Sequence, residues 1–123
     1  RQISGLLQCP LIMATEVCDT PLIDVERHDL RRVSFFVGKV SVEELGKCET
    51  NTLQPVEQLG IIKKIVGQEH ISQRLDESFM QIGRTLGGFP QLGTTAAKGA
   101  AYAVEAGRDI LLGRDVPTGR SVK

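Results

Sequence analysis

Apolar residues recur with two different periods along this chain, and the change comes near its middle. In the first half the spacing is short. Pro10 to Val17 (PLIMATEV) is a brief apolar run closed by Cys18-Asp19-Thr20-Pro21, a cluster that predicts a turn. Leu22 to Leu30 (LIDVERHDL) alternates Ile23 and Val25 with Asp24 and Glu26, which predicts a short strand or an extended loop. Arg31 to Val42 (RRVSFFVGKVSV) concentrates β-branched and aromatic residues and reads as the best strand of the chain. Val33, Phe35 and Val37 fall on one face there, Ser34 and Phe36 on the other. Gly38 within it suggests a bulge or the close approach of another backbone.

From Pro55 onward the period lengthens. Val56, Leu59, Ile62 and Val66 recur at helical spacing, with Lys63 and Lys64 toward the carboxyl end, where the helix dipole favours cations, and Gly67 as the stop. Ile71, Leu75, Phe79, Ile82 and Leu86 make a second stripe, beginning near His70 and closed by Gly87-Gly88-Phe89-Pro90. Arg74, Glu77, Gln81 and Arg84 cover its solvent side. A third helix starts near Thr94 or Thr95, either of which can cap, and runs to about Leu112 before Gly113. Arg114 to Lys123 has too few apolar residues to dock by itself and is expected to form a flexible tail behind a single domain spanning 1–113. Strands followed by helices predict an α+β domain: an N-terminal β-rich half of about three short strands, then three C-terminal helices packed on one face.

Composition narrows the functions. With 41% hydrophobic residues among 123, the chain can bury a core, but aromatics are 4% and Trp is absent. The core is therefore aliphatic, and the surface lacks the rings that anchor single-stranded nucleic acid or sugars. Net charge is zero but divided: residues 1–61 hold six Lys/Arg and nine Asp/Glu, and residues 62–123 hold nine and six, so −3 faces +3. Such polarity suits stacking with copies of itself and is a poor basis for binding duplex nucleic acid by counterion release. Three cysteines with no CxxC pair fit free thiols in a reducing, intracellular compartment. No run approaches the ~20 apolar residues of a membrane span, so a soluble protein is expected.

Glycine-rich chemistry is concentrated between Gly87 and Lys98. Gly88, Gly93, Thr94, Thr95 and Lys98 supply backbone N–H groups, hydroxyls and an ammonium at a helix start, the ingredients of an anion site. The spacing matches neither a Walker A loop nor a dinucleotide fingerprint, and Pro90 removes one donor. A packing account covers more residues. Gly99, Ala103 and Gly107 lie four apart, a nearly bare helix face on which another backbone can approach closely. Each interior glycine costs ~1 kcal/mol relative to alanine, which close packing would offset.

Other groupings are weaker. Cys9, Cys18, His28 and Cys48 are a Cys3His donor set at spacings unlike any compact zinc pattern, and buried free thiols are the simpler account. Asp24, Glu26, His28 and Asp29 make "DVERHD" the densest chemical stretch, read here as a solvated loop or a polar edge strand. His70 reads as a surface or capping residue. No metal, cofactor or catalytic set is therefore expected. The favoured function is a structural or protein-interaction subunit that packs into an assembly, with itself or other subunits, through the Ala/Gly helix. The rival is a small enzyme or ligand-binding domain that holds a phosphate-containing anion at the Gly87–Lys98 loop.

Overall fold

Residues 1–31, 33–49, 53–82, 84–85 and 92–122 are described by the computed structural model. A short helix, α1 (Gln2–Leu7), leads into a hairpin of β1 (Pro10–Val17) and β2 (Thr20–Arg27). Its two-residue connection places Cys18 in the left-handed region at φ 53° and pairs Val17 with Thr20. Helices α2 (Val42–Glu49), α3 (Pro55–Val66), α4 (Gln73–Phe79) and α5 (Gly93–Leu111) follow, and β3 (Gly119–Val122) ends the described chain. The three strands form one antiparallel sheet in the order β1-β2-β3. The fold is α+β.

The third strand does not come from Arg31–Val42, the stretch with the strongest β composition. Phe35–Gly38 is a 3-10 turn there, with Phe36, Val37 and Gly38 at φ 45°, 59° and 76°. Phe36 and Val40 are buried against Ile61 in a small second core. Tertiary burial has overridden a propensity that mainly measures fit to a half-buried pleat.

The third strand is instead supplied by the expected tail. Gly119–Val122 pairs with β2, Leu22 opposite Val122 and Asp24 opposite Arg120. Apolar content is the wrong measure of this docking, because polar groups hold the segment. The Arg120 guanidinium grips the Asp24 carboxylate through two hydrogen bonds of 2.8 and 2.7 Å and donates to the Val66 carbonyl at 3.1 Å. The Arg27 N–H donates to Thr118 Oγ1, and its Nη1 to the Val116 carbonyl.

With neighbours on both sides, β2 is buried along Pro21–Glu26. Residues of one sheet face, Ala14, Glu16 and Pro21 among them, lie under α5. On the opposite face Val17 and Leu22 join Val66, Leu75 and Phe79 in the main core. Among the described residues the helices thus divide between both faces, with α5 alone on one.

Helix α3 runs as its periodicity predicts, from Pro55 to Val66 with Gly67 at φ 95° beyond it. Helix α4 is shorter than its stripe. His70 belongs to a separate 3-10 turn, Ser72 Oγ accepts the Leu75 N–H as the true cap, and the helix ends at Phe79. Leu86 and Gly87–Pro90 lie outside the described residues.

Candidate functional site

Three sets of residues carry the candidate chemistry. In the glycine-rich loop, Gly87 and Gly88 lie outside the described residues, and α5 begins at Gly93 without a side-chain cap. Thr94 and Lys98 lie four residues apart on the exposed side of the helix. Thr95 points the other way. It is buried, and its hydroxyl donates to the Cys18 carbonyl at 2.6 Å, tying α5 to the hairpin turn instead of capping the helix.

The small-residue face of α5 lies on β1 and β2 of the same chain. A Cβ added at Gly99 would stand 3.0 Å from Glu16 Oε1, 3.6 Å from Ala14 Cβ and 3.7 Å from Pro21 Cβ. One at Gly107 would meet Ile12 Cδ1 at 3.5 Å, and Ala103 between them is half-buried. The outward face is a separate stripe. Ala97, Ala101, Val104, Arg108 and Leu111 step by four, three, four and three residues, all exposed, Val104 at 72% and Leu111 at 88%.

The third set is "DVERHD", which is neither a solvated loop nor an edge strand. Strand alternation puts Asp24 and Glu26 on the sheet face away from α5, where Asp24 is 2% and Glu26 1% exposed. Burying a charge is costly unless it is paired and hydrogen-bonded. Asp24 has Arg120. Glu26 accepts from Arg1 Nε at 3.0 Å and lies 3.2 Å from His28 Nε2. Where the Glu26 carboxylate accepts, Nε2 is the donating nitrogen of the imidazole. Arg27 and Asp29 pair in turn at 2.7 Å, and the guanidinium holds the Asp29 carboxyl below its ordinary range.

Around His28 a cavity of about 410 Å³ opens between α1, α2 and the Val33–Phe35 stretch. The Arg1 guanidinium stacks 3.9 Å from the Phe36 ring centre, a cation–π contact that fixes it beside Glu26. Phe36 and the β-branched Val37 both hold left-handed backbone here, strain of order 1–3 kcal/mol per residue. No spacing pattern marks these residues, because the pairs join positions 25 and 96 apart in sequence. The buried carboxylates themselves were the one readable signal.

Of the proposed zinc donors, Cys9 and Cys18 are half-buried and Cys48 is exposed, so buried thiols do not describe them. Among the described residues no three His, Cys, Asp or Glu side chains gather as a metal set. No helix among them is long and apolar enough to cross a membrane.

Comparison with known proteins adds one relative. An uncharacterized protein of Mycobacterium tuberculosis (strain CDC 1551 / Oshkosh) is 33% identical over 124 aligned positions, covering 98% of this chain and 16% of the relative. The chain therefore spans about a sixth of the length of the curated relative it matches. No family model matches the chain, and no solved structure matches it.

Proposed function

We propose that this chain is a protein-interaction segment that assembles through helix α5, its first partner being a second copy of itself. The observation that carries the reading is the pair of faces on α5. Its glycine face is already occupied by the hairpin, while Ala97, Ala101, Val104 and Leu111 form a stripe that is exposed among the described residues, at the seven-residue period of helix pairing. The stripe is self-complementary. In an antiparallel pair centred on Val104, Leu111 of one copy falls opposite Ala97 of the other, large against small. Arg108 is held aside by Glu105 and Asp109 of its own helix.

A single helix of 19 residues presents less than the ~800 Å² per partner of a standard interface. Association is therefore weak, with dissociation constants expected in the micromolar range or above. A longer partner chain would extend the same contact. The rival, an anion held by the Gly87–Lys98 loop, has less support, because Thr95 has committed its hydroxyl to Cys18.

Sedimentation velocity over a dilution series tests the reading. The wild-type chain should shift between monomer and dimer, and Val104→Arg should stay monomeric at every concentration while keeping its melting temperature. A wild-type chain that is monomeric at several hundred micromolar would overturn self-pairing.

A further inference from the structure

The His28 cavity has the polar and apolar parts of a small-molecule site. His28 is 8% exposed, and among the described residues its imidazole has one hydrogen-bond partner, Glu26, at Nε2. Nδ1 faces α1: a Cβ added to Gly5 would stand 3.7 Å from it, and Gly5 and His28 both line the cavity. The Arg1 guanidinium, which also lines the cavity, is held by Glu26 through Nε and by Met13 Sδ through Nη2, and among the described residues Nη1 has no partner. Val33, Phe35, Val42 and Leu45 make an apolar wall, and Gln2 adds a polar amide at its side. The turn that presents Phe35 holds three successive residues at positive φ, a conformation kept only where its surroundings over-determine it.

We infer that this cavity binds a small neutral molecule with an aromatic or branched apolar body and one hydroxyl group, of the phenol class. The hydroxyl hydrogen is donated to His28 Nδ1, and the oxygen accepts from Arg1. Charge decides the class. Arg1 and Glu26 cancel, and a neutral imidazole that donates to Glu26 from Nε2 offers Nδ1 as an acceptor, so a carboxylate would meet it repulsively. An ammonium would meet the Arg1 guanidinium. A cavity of about 410 Å³ lies within the ordinary range of ligand pockets and accommodates one such ring.

The test is titration of the full chain with p-cresol, toluene and benzoate, followed by amide and histidine ¹⁵N chemical shifts. p-Cresol should bind at least tenfold more tightly than toluene, moving the His28 Nδ1 and Phe35 signals, and benzoate should bind more weakly still. Gly5→Ala places a methyl group against Nδ1 and should bring p-cresol down to the affinity of toluene. At Gly46 an added Cβ meets nothing within 4 Å, so Gly46→Leu should fold normally and abolish both. His28→Gln repeats the first test on the ring itself. Equal binding of p-cresol and toluene would make the cavity an apolar hole without a polar anchor. No binding at 10 mM, or tighter binding of benzoate, would overturn the site altogether.

Discussion

The two faces of the central sheet solve the same problem by opposite means. Under α5 the contact is made by removing side chains: Gly99 and Gly107 let the helix lie on Ile12, Ala14 and Pro21. On the other face, carboxylates of β2 are buried outright and neutralised by arginines from the two ends of the described chain, Arg1 and Arg120. The first contact gains by close packing, which is local and forgiving. The second balances large desolvation and Coulomb terms, so losing either partner exposes the full imbalance. Stability should therefore respond far more to a single charge than to a single methyl group.

Arg120→Met gives the largest effect. It strands the Asp24 carboxylate and should cost about 3–5 kcal/mol in urea unfolding, detaching β3 as well. Combining it with Asp24→Leu should recover most of that loss, since an apolar pair replaces a paired charge at little cost. Next comes Gly99→Leu. Its first carbon already crowds Glu16 Oε1 and touches Ala14, so the whole side chain overpacks the α5 contact by about 1–3 kcal/mol, and Gly107→Leu should cost less. Thr95→Val removes the hydroxyl that holds the Cys18 carbonyl and should cost about 1 kcal/mol by the same assay.

The smallest effect is electrostatic and exposed. Lys39 lowers the Glu69 carboxyl from its ordinary 4.5 to about 2, chiefly by hydrogen bonding to it. A carboxyl depressed on folding contributes stability above its unfolded value, and this is lost as the pH falls through the folded value. Stability should thus decline between about pH 4.5 and 2, and Lys39→Met should flatten part of that slope. Solvent screening keeps the change small.

What was readable in the sequence follows the same division. Periodicity gave α3 nearly residue for residue, and the small-residue spacing of α5 is visible without a structure, because both depend on neighbours three and four positions away. The alternation of Ile23 and Val25 with Asp24 and Glu26 is a true strand pattern. Its polar positions suggested solvent because nothing local announces that Arg120 will arrive from 96 residues downstream. For the same reason Gly119–Val122 looked like a tail. Phe35–Gly38 misled in the other direction: its aromatic and β-branched residues serve a strained turn that buries Phe36 and stacks it under Arg1. The candidate site was thus half legible. His28 and its carboxylates stood out, while Arg1, Phe35 and the cavity they line did not.

The outward face of α5 is the part of the account on which function rests, and cross-linking addresses it most directly. A Val104→Cys chain treated with a short bifunctional thiol reagent and digested should yield a peptide joining position 104 of one copy to position 104 of another, at concentrations where the wild-type chain gives none. Cross-links through exposed Cys48 alone, or none at all, would contradict pairing through this helix.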